Sequence, residues 1–574
     1  MFKSKDYYFS LLIILAVILS YFRIFFLNQI FWDDFHYLQS VYTSSNIADF
    51  LKNSGFIELR RIPQGLFLYL VFSLFKISNQ AYFILHLIAI AVQIITPVLL
   101  YLLIKRLFKN NLAAFIIASS LIILPIDATV PVFTIFIYRF GLMFTVISFY
   151  LTQRAFAGKF RWPYLISALL LSLGSNYFFV ESAIALEPAR LFMIGLILYQ
   201  KGYKIKEAIS KSLGYWVWFG LICAPNILYK ILHRPYGIHQ GFYTADPLFF
   251  LKWKLHLKYL IMLYFGNWVY FLQGIEYLSF WSVIMGLFGT LTAYLLLKRR
   301  YTLNFGSREL DSLSVLPYRA GKADETNINL IILFGLLLLL PAVLMYEMFA
   351  DAPLGVGYDT RHGCIMQFGN ALVFGALICA VIKKSCVAFR HRNQFIAIFI
   401  AVLLGLGVFF NNLNLDRYFA FWRQQQQFYN AFIERFPALP EKSTFIFDIQ
   451  DKIPLKYHWY AFYNAEYYVN MLYAKSKDPR EFREYKIAEW GFLNEHYKIA
   501  PNKYEILSYW GKDIFDTRKF IMVRWQPGEL LVNREILAKY PNVAYRDLAD
   551  KDVPVIPPVP KYPLREKIER FLVL

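Results

Sequence analysis

Two adjacent carboxylates, Asp33 and Asp34, sit in the run Phe31-Trp32-Asp33-Asp34-Phe35-His36-Tyr37-Leu38, directly after an apolar segment that begins near residue 8. Charge beside hydrocarbon is expensive unless paired or hydrated, so an acidic pair at a helix mouth calls for a metal, a proton or a cationic partner. A solvated loop start is the competing reading. A carboxylate in that position can take the proton of a hydroxyl, and general-base catalysis of this kind is worth roughly 10²- to 10⁴-fold. Asp127, in Leu124-Pro125-Ile126-Asp127-Ala128-Thr129, ends another apolar segment. It positions a substrate, shares a divalent cation with Asp34, or is a hydrated helix end. Arg139 and Glu181, an intramembrane cation and a carboxylate at a helix mouth, either serve the same site or pair structurally. Gly357-Tyr358-Asp359-Thr360-Arg361-His362 brings Arg361 and His362 just ahead of a late apolar segment. A guanidinium is always charged and offers a fixed fork of donors, which suits phosphate, although an arginine there can also snorkel to lipid headgroups. His233, Arg234, His239 and Lys252 occupy a stretch rich in glycine and aromatics. They either line the entrance for an anionic group or lie on the surface, and two histidines at this spacing are weak evidence for a metal.

The elements that must hold these residues are membrane helices. The chain has 574 residues, 58% of them hydrophobic and 19% aromatic, with a mean hydropathy of +0.42, too apolar for a soluble protein of this length. Apolar runs long enough to cross about 30 Å of hydrocarbon recur as far as residue 410. The formal charge of +21 does not point to nucleic acid, because the basic residues lie in short clusters between apolar runs. Those clusters are Lys3/Lys5, Lys105/Arg106/Lys109, Arg154/Lys159/Arg161, Lys201/Lys204/Lys206/Lys211, Lys298/Arg299/Arg300 and Lys383/Lys384/Arg390/Arg392. The positive-inside rule puts all six in the cytoplasm. Spans at 8–30, 81–104, 112–127, 132–153, 163–180, 182–200, 214–231, 279–297, 328–348, 364–382 and 394–410 then alternate without contradiction. Stretches 62–78 and 252–274 fit as half-spans or interfacial helices, or else both cross and the clusters between them face outward. The expectation is a polytopic α-helical membrane protein with about 11–13 membrane helices over residues 1–410. Residues 411–574 should then form an extracytoplasmic soluble domain. The first span, followed by Trp32 rather than a small-residue cleavage site, reads as a retained signal anchor.

The stretch around Asp33 and Asp34 resembles the start of the GT-C superfamily of membrane glycosyltransferases, the class that includes protein O-mannosyltransferases and aminoarabinose transferases. The resemblance continues through Arg60-Arg61-Ile62-Pro63, the aromatic-rich stretch 66–77, Ser78-Asn79-Gln80, a long span and Lys105-Arg106-Leu107-Phe108, covering residues 8 to 200. The His-Pro-Pro that the family often carries before its second helix is replaced by Arg61-Ile62-Pro63-Gln64. The resemblance implies a GT-C-like fold and transfer of a sugar from a polyprenyl-phosphate donor to a glycan, lipid or protein acceptor outside the cytoplasm. It implies catalysis at Asp33 and Asp34, with Asp34 as the base, and substrate contacts at Asp127, Arg361 and His362. A divalent cation, Mg or Mn, on Asp34 and Asp127 is the one cofactor it would bring. An inverting displacement needs a single base, which suits one acidic motif.

After residue 410 the chain turns polar but stays rich in aromatics. Residues 442–449 and 519–525 have strand composition and 463–474 has helical spacing, so a small mixed α/β domain is expected. Its aromatics serve as a core or as sugar-stacking surfaces. Cys223, Cys364, Cys379 and Cys386 show no paired metal spacing and none lies in this domain. The main rival function is a secondary transporter or flippase, and a scaffold without enzymatic activity is a third. Transporters usually show internal repeats, and none is visible here. The scarcity of low-complexity sequence and of eukaryotic sorting signals leans toward a bacterial inner membrane.

Overall fold

The computed structural model describes residues 4–27, 34–57, 62–75, 79–124, 127–132, 135–179, 181–232, 261, 267–301, 313–314, 326–349, 363–386, 392–439, 443–449, 462–473, 486–489, 498–500, 503–508, 511–516, 520–526, 529–532 and 535. The helices are α1 (Ser4–Tyr21), α2 (Asp34–Thr43), α3 (Ile47–Asn53), α4 (Ile62–Phe75), α5 (Asn79–Phe108), α6 (Asn111–Ile123), α7 (Phe136–Phe156), α8 (Trp162–Gly174), α9 (Glu187–Gln200) and α10 (Ile205–Leu232). They continue as α11 (Asn267–Gln273), α12 (Phe280–Tyr301), α13 (Ile328–Phe349), α14 (Gln367–Cys386), α15 (Arg392–Arg435) and α16 (Phe462–Tyr473). Six helical segments are long and apolar enough to cross a bilayer: Tyr7–Phe26, Tyr82–Phe108, Ala183–Gln200, Phe280–Lys298, Gln367–Lys384 and Asn393–Arg435. Such a set fits an integral membrane protein of helical type.

Glycines bring the helices together. A Cβ on Gly405 of α15 would lie 1.7 Å from Thr290 Oγ1 and 2.8 Å from the Gly286 carbonyl on α12. One on Gly369 of α14 would meet the Leu339 amide of α13 at 2.7 Å. Small residues at such crossings allow backbones the close approach on which packing in lipid depends. Between α5 and α6, Lys109 turns the chain in the left-handed region, with φ of 54°. Asn110 then caps α6, its side-chain oxygen accepting from the Ala113 amide at 2.8 Å.

The helices define two ends of the bundle. At one end Gln200 Nε2 donates to the Leu107 carbonyl (3.0 Å) and Lys201 Nζ to the Gly158 carbonyl (2.7 Å), so the turns after α5, α7 and α9 lie together. At the other end α15 meets the exits of α1 and α6: Asn412 Nδ2 donates to the Leu19 carbonyl and Asn411 Nδ2 to the Ile122 carbonyl. Helix α4, with 14 residues, is about 21 Å long at 1.5 Å per residue, short of the hydrocarbon thickness.

Helix α15 runs through the expected domain boundary at residue 411 without a break. Its 44 residues make a rod of about 66 Å. Its C-terminal half carries Phe428 and Phe432, with Phe436 just past the helix end at the same four-residue spacing, and they pack on Phe445, Phe447 and Trp525 of a sheet. Strands β1 (Leu313–Ser314) and β2 (Thr326–Asn327) form a short parallel pair in the loop before α13. The main sheet has the order β4-β3-β8-β9, built from β3 (Thr444–Ile449), β4 (Lys486–Glu489), β8 (Phe520–Gln526) and β9 (Glu529–Val532). Strand β3 is parallel to both β4 and β8, with α16 in the crossover to β4, while β9 returns antiparallel to β8. A separate antiparallel sheet comprises β5 (Lys498–Ala500), β6 (Lys503–Ser508) and β7 (Gly511–Asp516). Helix α16 faces two ways: Tyr468 stacks on Tyr429 of α15, and the helix also packs against α2. Burial pushes the Tyr429 phenol well above its ordinary range, so it stays neutral in this seam.

Candidate functional site

The acidic motif leaves the bundle at its sheet-bearing end. A 3-10 turn, Phe22–Phe26, extends α1, and His86 Nε2 on α5 donates to the Leu27 carbonyl at 2.9 Å. Asp34 then opens α2, a position where the helix dipole favours a carboxylate. Two residues on, buried His36 donates from Nε2 to the Ser54 carbonyl at 3.1 Å, which ties α2 to the end of α3. A carbonyl only accepts, so the proton is on Nε2 in both histidines. Helix α2 is thus tied to α3 and rests on α16 of the sheet domain.

A closed ion pair joins the loop after α6 to α7. Asp127 Oδ2 accepts from Arg139 Nε at 2.6 Å and Oδ1 from Nη2 at 3.0 Å. The Thr129 amide and hydroxyl add bonds to Oδ1 at 2.9 and 2.6 Å, and Arg139 Nη2 also reaches Thr129 Oγ1 at 2.9 Å. Both charged residues are buried. The loop is held from α15, where Asn414 Nδ2 donates to the Ala128 carbonyl at 2.9 Å. Tyr21 and Tyr418 lie within electrostatic reach of the pair, and Tyr21 donates to Asn411 Oδ1 at 3.0 Å.

One turn further along α15, Asp416 accepts from Arg23 Nη2 at 2.7 Å, from the Ser279 amide at 2.9 Å and from Ser279 Oγ at 2.6 Å. This node forms the floor of a cavity of about 660 Å³ whose walls include Phe22, Phe26, Trp281, Phe419 and Arg423. Arg417, the next residue, points to α11. Its Nη2 donates to the Tyr270 carbonyl at 2.7 Å, and its guanidinium carbon lies 3.9 Å from the centre of the Tyr270 ring.

Comparison with family models, with curated proteins and with solved structures returns no match. Function therefore rests on the residues themselves.

Of the residues singled out from sequence, Asp127 and Arg139 come together as one bidentate pair. Asp34 opens α2 and Glu181 opens the 3-10 turn Glu181–Leu186. Asp33, Arg234, Lys252, Arg361 and His362 lie outside the described residues. Asp127 is engaged on both oxygens by the Arg139 guanidinium, with which a divalent cation there would compete. Among the described residues no group of three or more His, Cys, Asp and Glu is arranged to hold a metal.

Sequence reasoning missed Arg23, which lies inside the first apolar run, and Asp416 and Arg417, which follow the last one and were assigned to the soluble domain. It also missed Glu187 and Arg190. Arg190 Nε donates to Glu187 Oε2 at 2.6 Å, and its guanidinium lies 4.2 Å from the Phe149 ring centre and 4.1 Å from that of Phe219. A Glu-x-x-Arg spacing inside an apolar run was the available signal, because those positions share a helix face.

Proposed function

We propose that the chain is a GT-C-like glycosyltransferase that moves a sugar from a polyprenyl-phosphate donor to a glycan, lipid or protein acceptor outside the cytoplasm. One observation carries the reading: Asp34 begins a helix that packs on α16 of the sheet domain and is tied through His36 to the end of α3. That is where a donor held in the bilayer and an acceptor arriving from water would meet. The reaction asks little of the protein beyond this placement. The Asp34 carboxylate takes the proton of the acceptor hydroxyl, whose oxygen attacks the anomeric carbon. The bond to the phosphate oxygen breaks, and the electron pair leaves with the phosphate. The sheet domain then lies on the outer face of a bacterial inner membrane, and residues 1–410 supply eleven crossings.

The test is transfer of labelled sugar from a polyprenyl-phosphate donor by the purified chain. Asp34→Asn is nearly isosteric but removes the base, so the rate should fall about 10²- to 10⁴-fold with the unfolding temperature unchanged. Wild-type rates in that variant would exclude Asp34 as the base. Failure of the wild-type chain to consume any such donor would remove the transferase reading.

A further inference from the structure

Five arginines among the described residues are at least nine-tenths buried: Arg23, Arg139, Arg190, Arg417 and Arg524. Four of them meet a carboxylate, in the pairs Arg23–Asp416, Arg139–Asp127, Arg190–Glu187 and Arg524–Asp448. Arg417 meets none among the described residues, although it is 1% exposed. Its partners there are confined to Tyr270, whose carbonyl accepts from Nη2 and whose hydroxyl also comes within hydrogen-bonding range, and Nε and Nη1 make no bond of good geometry. The acids nearby are committed elsewhere. Asp416 serves Arg23, Ser279 and Ser282, Asp127 serves Arg139 and Thr129, and Glu276 bonds the Tyr277 hydroxyl. A buried charge without a counter-ion is strongly destabilising, so its presence calls for an anion that brings its own oxygens.

Position selects the anion. Arg417 lies seven residues past Phe410, where the apolar run ends, or about 10 Å along α15 at 1.5 Å per residue. The polar layer on each side of the hydrocarbon is roughly 5–8 Å thick, so the Arg417 backbone stands at its outer edge and a side chain leaning toward the helix N-terminus reaches back to the level of lipid phosphates. The wall over it is thin. Tyr270 and Gly274 face inward from α11 and the turn that follows it, while Val269, Leu272 and Ile275 of the same segment are exposed and apolar. Gly274 leaves the guanidinium its space: a Cβ there would stand 3.3 Å from Nη2 and from Leu413.

We propose that Arg417, stacked on Tyr270 and given room by Gly274, is the cation of an anion site that takes a phosphoryl group from the headgroup layer at the sheet-bearing end of the bundle. The free Nε and Nη1 donors give two points of attachment, which is the guanidinium pattern for phosphate. The inference concerns the anion and stands apart from the transferase reading.

The experiment uses the full chain in a maltoside detergent, which carries no phosphate. Thermal unfolding and native mass spectrometry are recorded with phosphatidic acid, with a polyprenyl monophosphate and with inorganic phosphate. Wild type should bind at least one of the two lipid phosphates and unfold at higher temperature with it; a shift from inorganic phosphate as well would assign a soluble source. Arg417→Met should unfold no lower than wild type without ligand, because an apolar side chain replaces an uncompensated charge. Its affinity for the phosphate should fall ten- to a hundredfold. A structural arginine gives the opposite result: Arg417→Met unfolds early and binds undiminished, which would overturn the proposal. No binding of any of the three probes to wild type would overturn it too. Should Arg417→Met fail to fold, Gly274→Ala decides, since it keeps the charge and crowds the guanidinium; unchanged affinity there also refutes the site. Binding without sugar transfer would leave this site standing and remove the transferase reading.

Discussion

The Asp127 carboxylate receives four hydrogen bonds, two from Arg139 and two from Thr129. In so dry a setting the pair is costly to break and cheap to replace whole. Removing one partner of a buried pair costs about 3–5 kcal/mol, whereas exchanging both for apolar residues is often neutral. Arg139→Met alone should therefore unfold the protein early in detergent, and Asp127→Leu with Arg139→Met should recover most of the loss. If the double variant stays as unstable as Arg139→Met, the pair does more than neutralise itself. Both residues were visible in the sequence as membrane charges. Their pairing was not, because the chain between them includes a loop whose path depends on Asn414 of a distant helix. A sequence shows a charge but not which group already neutralises it.

At the level of elements, α15 shows where a pattern stops being informative. The apolar run ends at Phe410 and Asn411-Asn412-Leu413-Asn414 follows, residues that favour caps and turns when nothing else binds their side chains. Here neighbouring helices do bind them, through the carbonyls of Leu19, Ile122 and Ala128, and the helix continues for another six turns. The sheet domain was more legible. Strand β3, helix α16 and strand β8 fall within about two residues of their expected bounds, because their aromatic and β-branched content is local information. Crossings are a third case, since a glycine in an apolar run is common and only the partner helix gives it meaning. Gly405→Ala puts a methyl group against Thr290 Oγ1 and the Gly286 carbonyl. Overpacking of this kind costs about 1–3 kcal/mol. The variant should unfold early, and Gly158→Ala, which meets nothing within 4 Å, should not. Equal unfolding temperatures for the two would mean that α12 and α15 are not held at this crossing.

On the scale of the whole molecule, charge differs between the two ends of the bundle. The end opposite the sheets gathers Lys105, Arg106, Arg154, Lys159, Lys201 and Lys204 in the last turns of α5 and α7 and the turns after α7 and α9, which are tied together through Gln200 and Lys201. Lysine and arginine in short loops are retained on the cytoplasmic side during insertion, so this end should face the cytoplasm and the sheets should face out. Accessibility can decide it. Cys223, Cys364 and Cys379 are buried, which leaves Cys386 to be changed to serine before probes are added. Lys503→Cys then offers a thiol on exposed β6, and Lys159→Cys offers one on the exposed turn after α7. In intact spheroplasts an impermeant maleimide should label the first and spare the second, and both should react after lysis. The paired design matters because a silent site can be silent for lack of exposure, whereas reciprocal behaviour of two exposed sites reports only the side of the membrane. Labelling of Lys159→Cys in intact cells with Lys503→Cys protected would invert the orientation. The acidic motif at Asp34 and the site at Arg417 would then face the cytoplasm, where an extracytoplasmic acceptor could not reach either.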